Sequence, residues 1–315
     1  MKKNAYSLTV LCLILIFTIN IFIKSQSLTN TIVFSINLFT KNIFPSLFPM
    51  FVISGILIEI SLPQFLGNVF KKLFKKTFKT SELSAFVFFM SMITGCPSNA
   101  KYINDLIDQK LLNSKEAQKI LLFTFFSNPL FIINTIGSHF LHDKTIGIYI
   151  LISNILGNII IGFIFKNYNV IASNKKEDFS VKDLINKINN TSIFKTVFHS
   201  IKNALDILIN IFGIVSFFLI VINTILAEPK NYQEVIITGI LEMTTGLKYL
   251  SIIDCSFKTK VLTSTFFISF GGLSVHSQIM NILNEKKVKY LPFLISRLLH
   301  ACISTTIMLM IITAH

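Results

Sequence analysis

Residues 83–101 read LSAFVFFMSMITGCPSNAK. An apolar run opens at Leu83, breaks on Gly95 and Pro97, and continues as Ser98, Asn99 and Lys101. The run is too short to cross a bilayer, which takes roughly 20 mostly apolar residues. In hydrocarbon an unpaired backbone group is costly, so non-helical backbone survives only inside protein or against water. The break therefore predicts a polar cavity at membrane depth.

The rest of the chain supports a bilayer setting. Of 315 residues, 52% are hydrophobic and 14% charged, with a mean hydropathy of +0.67. Soluble domains carry about 25% charged residues, so too little charge is present to cover a soluble domain of this size. The composition predicts an all-α polytopic membrane protein with the lipid bilayer as its surroundings. The net charge of +14 comes from lysines in short loops beside apolar spans. That is the positive-inside pattern, not a nucleic-acid surface. The four cysteines, Cys12, Cys96, Cys255 and Cys302, lack CxxC spacing. They indicate neither a disulfide framework nor a zinc site, and no metal or other cofactor is implied.

The first expected span is Ser7 to Ile23, read as a retained N-terminal transmembrane helix within residues 1–30. A second runs from about Ile36 to Ile60 and carries Pro45 and Pro49, which predict a kink packed against protein. FLGNVFKKLFKKTFK (65–79) places phenylalanines on one helical face and lysines on the other, an amphipathic helix lying on the cytoplasmic membrane surface. Asn113 with Glu116 three residues on marks a helix start. Spans follow at Ala117–Ile136, interrupted at Ser127-Asn128-Pro129, and at Thr145–Phe165. The polar stretch from Lys166 to Lys195 reads as a cytoplasmic linker (167–200) between halves at 31–166 and 201–315. The second half holds spans at Ala204–Leu226, at Val261–Ile282 with a break at Gly271-Gly272, and at Tyr290–Ile312. The acidic turn at Glu228 and Glu234 reads as outside.

The broken segments resemble each other. FFMSMITGCPSNA (88–100) aligns with FFISFGGLSVHSQ (266–278), and SGILIE (54–59) echoes TGILEM (238–243). Paired Gly/Pro-interrupted apolar segments in two halves point to a transporter's binding site. Lysine counting puts both breaks on the cytoplasmic side, whereas aligning Pro45–Ile60 with Ala204–Leu226 inverts the halves.

These breaks supply the candidate substrate-binding residues. At the first lie Thr94, Gly95, Pro97, Ser98, Asn99 and Lys101. A helix restarting after Pro97 would aim its free N–H groups into the cavity, and with the lysine they suit an anion such as a carboxylate. Lys101 snorkelling to water is the plainer reading. Ser127 and Asn128 are either a third break facing the cavity or a proline kink. The second broken segment offers Gly271, Gly272, Ser274, His276 and Gln278. His276 is either a proton-coupling group or a hydrogen-bonded interior histidine. Glu242 is an acid at membrane depth and a functional candidate on that ground, whereas Glu59, nearer its helix end, reads as interfacial. Ser274 and His276 stand two residues apart, which does not present a nucleophile to a base, and no HExxH occurs, so an enzyme is not expected.

The stretch TGCPSNAKYINDLIDQKLLNSKEAQKILLFTFFSNPLFIINTIG (94–137), with ILEMTTG, FISFGGLSVHSQ and RLLHA further on, resembles the signature of the YlbJ-type sporulation integral membrane proteins. The resemblance covers about residues 40 to 312. Cys96 stands where that family usually has Tyr, Asn99 where it has Gly, and Asn128 where Ser is common. The resemblance implies kinship with nucleoside-recognition Gate domains, whose hairpins form an inverted repeat. It also implies transport of dipicolinic acid, a flat dianion, across the outer forespore membrane during endospore formation.

Overall fold

The computed structural model describes residues 11, 15, 18, 19, 21–170, 179–226 and 228–314. Most of the expected helix at Ser7–Ile23, Cys12 and the middle of the polar linker lie outside the described residues. Among those described, every regular element is helical.

The first rod is α1 (Ser25–Leu38), a π-helical turn (Phe39–Ile43) and α2 (Phe44–Glu59). Pro45 sits in the first turn of α2. It has no N–H to give the turn before it, and the helix widens there. The rod packs on the long α9 (Ile193–Leu226), with Leu47 and Phe51 set against Ala204, Leu208 and Ile211. Ser216 donates to Ser35 at 3.0 Å within this scaffold pair.

After the rod comes α3 (Leu62–Thr77), the lysine-rich helix. Its phenylalanine face is covered by protein, not left to lipid: Phe70 and Phe74 stack on Phe89, and Phe78 on Phe123. Lys72 and Lys76 stay exposed.

Next come α4 (Leu83–Thr94) and α5 (Ser98–Asp108). They fold back on each other, because Phe86 and Tyr102 meet at 5.9 Å between ring centroids and the Tyr102 hydroxyl donates to Thr94 at 3.0 Å. This is a re-entrant hairpin with its tip at Gly95–Pro97. The following pass is interrupted but does not turn back: α6 (Ser114–Phe123), non-helical residues 124–128, then a π-helical stretch (Phe131–Phe140). The Asn113 side chain accepts from the Glu116 N–H at 3.0 Å, capping α6 as its sequence predicts. The whole pass runs antiparallel along α7 (Lys144–Ile164): Phe123 lies by Gly162, Phe125 by Asn158, and Gly137 by Gly147.

After a short exposed helix, α8 (Val181–Asn190), and the scaffold helix α9, the order recurs. Helices α10 (Tyr232–Leu241) and α11 (Met243–Ile252) form a second hairpin, with Gly246 against the backbone of Gly239, where a Cβ would not fit. An interrupted pass follows as α12 (Phe257–Phe270) and α13 (Gly272–Ile282), running antiparallel along α14 (Tyr290–Ala314). Ser269 lies by His300, and His276 by Tyr290 and Phe293. Hairpin, interrupted pass and straight helix thus occur twice in that order.

This order corrects the alignment of 88–100 with 266–278. The first stretch is a hairpin tip and the second lies in a through-running pass. In element order, the tip at 95–97 corresponds to the turn at Glu242, and the break at 271–272 to that at 124–128. Four described helical rods, at 25–59, 144–164, 193–226 and 290–314, are long and apolar enough to cross a membrane.

Candidate substrate cavity

The tip of the first hairpin is stitched to the unwound stretch of the next pass. The Cys96 N–H donates to the Phe126 carbonyl at 2.6 Å, and the Asn128 amide donates to the Thr94 carbonyl at 3.2 Å. Gly95 has φ +81°, and a Cβ there would sit 2.5 Å from the Asn128 nitrogen. Only glycine allows that approach. Asn128 Oδ1 in turn accepts from the N–H groups of Leu130 and Phe131 at 2.9 and 3.2 Å, closing the π-helical N-terminus. Ser127 Oγ donates to the Ile268 carbonyl at 3.1 Å, tying this break to the second interrupted pass.

The second hairpin turns without a glycine or proline at its tip. Glu242 adopts an extended backbone, and its carboxylate accepts from the N–H groups of Thr244 and Thr245 at 3.0 and 2.7 Å. The charge compensates the N-terminus of α11.

The breaks enclose a cavity of about 570 Å³. Of the residues singled out in the sequence, Thr94, Pro97, Ser127, Asn128, Glu242 and Gln278 line it. Five more polar residues also line it: Asn42 and Ser46 from the first rod, Asn134 and Thr135 from the π-helical stretch, and Thr244 from the first turn of α11. Their signal in the sequence was only that each interrupts an apolar run. Phe131 and Met243 supply apolar wall.

Gly95, Ser98, Asn99, Lys101, Gly271, Gly272, Ser274 and His276 are not among the lining residues. Gly95 and the Gly271–Gly272 pair shape the chain, with positive φ at all three and Gly272 against the Met243 backbone. Ser274 accepts from the Gln278 amide at 3.3 Å. His276 Nε2 contacts the Phe270 carbonyl at 2.8 Å and Nδ1 the Tyr290 hydroxyl at 3.2 Å. A neutral imidazole satisfies both at once, donating to the carbonyl and accepting from the phenol. That favours the interior-histidine reading.

Lys101 does not deliver its charge to this cavity. It lies four residues beyond Pro97, about 6 Å along the helix, where it pairs with partly buried Asp105 and sits over the Phe51 ring at 5.8 Å. It lines a second cavity, of about 850 Å³, on the far side of α5 with Glu59, Asp105 and Asp108. Glu59 accepts there from the Gln109 amide at 3.1 Å. Asn99 is fully buried and lines neither cavity, and among the described residues neither its Nδ2 nor its Oδ1 has a hydrogen-bond partner. No group of three His, Cys, Asp or Glu side chains able to hold a metal ion lies together among the described residues.

The Gate family, described as nucleoside recognition, matches residues 40–156, which take in the first hairpin and most of the next two passes. The sporulation integral membrane protein YlbJ of Bacillus subtilis (strain 168) is 27% identical over 288 residues, covering 82% of this chain and 71% of its own. No solved structure matches. The chain is thus a multi-helix membrane protein with a Gate region in its first half, and it is similar along most of its length to a YlbJ-type sporulation protein.

Proposed function

We propose that this chain is a membrane transporter acting in spore formation, and that it carries dipicolinate across the outer forespore membrane. The observation that carries this reading is the cavity itself. Two hairpin tips and an unwound pass bring amides and hydroxyls together among the apolar helices, where an inert packing role would favour apolar contacts. Similarity to YlbJ supports the sporulation setting.

Dipicolinate suits the lining by its shape and donors. Asn42, Asn134 and the second N–H of Gln278 offer amide donors for two carboxylates, and Phe131 offers a face for the ring. No lysine or arginine lines the cavity, and the Glu242 charge is already compensated by α11. The site is therefore a near-neutral one that holds its solute by hydrogen bonds and releases it readily, as a carrier must.

Purified protein in liposomes should accumulate dipicolinate above empty vesicles. Absence of flux from folded protein would overturn the reading. The Gate match and the neutral lining favour one rival, a nucleoside. Competition for uptake by nucleosides, but not by other dicarboxylates, would select it.

A further inference from the structure

Arg297 has no place in the cavity, yet it is the largest fully buried side chain among the described residues. It projects from α14 into the interior, its guanidinium carbon 4.7 Å from the Phe125 ring and 5.7 Å from that of Phe293, two rings that pack on each other. Among the described residues no carboxylate pairs with it. Its partners are the carbonyls of Leu122 and Phe125 and the Asn158 side-chain oxygen, the last two at 3.4 Å, with Ser296 Oγ at 3.4 Å and His300 Nδ1 at 3.2 Å. Asn158 itself donates to the Phe125 carbonyl.

These carbonyls belong to the end of α6, where the chain unwinds. A helix that stops leaves its last carbonyls without N–H donors, and they form the negative end of its dipole. In water such groups are solvated, but here a guanidinium substitutes for the missing donors. Its planar fork reaches several acceptors at once, and its charge opposes the dipole. The same helix treats the other break alike. One turn on, His300 contacts the Ser269 carbonyl at 3.0 Å and the Asn154 carbonyl at 2.9 Å, while the Asn154 amide donates to Ser269 Oγ at 3.2 Å.

We infer that Arg297 is the positioning residue of the cavity: its guanidinium caps the end of α6 and thereby fixes the path of residues 124–128, which sets Ser127 and Asn128 in the wall. Ser127 is two residues from the carbonyl Arg297 holds and is itself buried. Losing the clamp frees that segment without touching the opposite wall, which α2 and the scaffold hold. The inference rests on the transport reading only for its flux readout.

The test uses two reporters in full-length protein whose own cysteines are replaced, reconstituted in liposomes. Ser127→Cys reads the clamped wall and Asn42→Cys, on the first rod, the opposite one. Each is reacted with a small water-soluble thiol reagent, with and without Arg297→Leu. Arg297→Leu should speed labelling at position 127 by about tenfold or more, the change expected from losing a charge-assisted hydrogen bond, and leave position 42 within about twofold. Arg297→Lys, which keeps the charge but not the fork, should fall between. It also serves alone if Arg297→Leu yields no monodisperse protein. Equal acceleration at both positions, or none at 127, overturns the proposal. For dipicolinate uptake, Arg297→Lys should raise the apparent KM more than it lowers the maximal rate. If no uptake occurs in any variant, the transport reading fails while the labelling ratio still decides the role of Arg297.

Discussion

Replacing Asn99 with leucine probes a polar side chain buried in the first turn of α5. The side chain is fully buried, and both its amide nitrogen and its oxygen lack partners. A buried polar group left unsatisfied costs about 1–3 kcal/mol. Leucine keeps the same branched outline of four side-chain heavy atoms, but its methyls are bulkier, so the swap removes two such groups at an overpacking cost of about 1–3 kcal/mol. Two groups at about 1–3 kcal/mol each, less that cost, leave a net rise in stability of about 1–3 kcal/mol. In a chain of this length that is a shift on the order of 1.5–4.5 °C in Tm. Dipicolinate flux should fall in the same variant, because an amide kept at a stability cost in this position serves a state in which it meets the solute. The assay is thermal unfolding of purified protein in detergent, paired with uptake in liposomes. A Tm lowered by several degrees would show that the amide is satisfied in the resting protein and refute the reasoning. A raised Tm with unchanged flux would leave Asn99 out of the transport cycle.

Three further outcomes follow from the geometry. Lys101→Met strands partly buried Asp105 and should lower stability by about 1.5–3 kcal/mol, the range for a hydrogen bond to a charged group, whereas Lys101→Met with Asp105→Leu should recover most of it in a double-mutant cycle. Gly95→Ala forces a side chain onto the Asn128 backbone at a positive φ; it should cost about 1–3 kcal/mol by thermal unfolding and abolish uptake. Glu242→Gln removes the charged cap of α11 and should destabilise by about 0.5–2 kcal/mol, with Glu242→Asp, a good N-cap residue, closer to wild type in the same unfolding assay.

The spans and three of the four breaks were legible because glycine, proline and small polar residues stand out in an apolar chain. Gly95–Pro97, Ser127–Pro129 and Gly271–Gly272 all mark real interruptions. The hairpin at Tyr232–Ile252 was not legible. Its turn is made by the carboxylate of Glu242 capping the next helix, and in a sequence that residue looks like any isolated acid. The alignment of 88–100 with 266–278 matched Phe-Phe and glycine but paired a hairpin tip with a through-running pass, since composition carries no information on whether a chain turns back. Lys101 was placed in the cavity because it follows the break closely. The structure turns it to Asp105, one helical turn beyond its own position. The clasp of Arg297, His300, Asn154 and Asn158 joins residues more than a hundred positions apart, a relation no local pattern encodes.

The two hairpins have a consequence for sidedness. A segment that enters and leaves by the same face does not change which face the chain is on. Only the rod at 25–59, the pass at 114–140, α7, α9, the pass at 257–282 and α14 then exchange faces. With that parity, the segments 60–113, 165–192 and 283–289 share one face and 141–143 and 227–256 the other. Among the described residues the first group holds thirteen lysines against five acidic residues, and the second two lysines against five. Counting each hairpin as a crossing would scatter those lysines over both faces. Counted as loops, the hairpins put the basic segments together on one face, as the positive-inside rule expects of a cytoplasmic side.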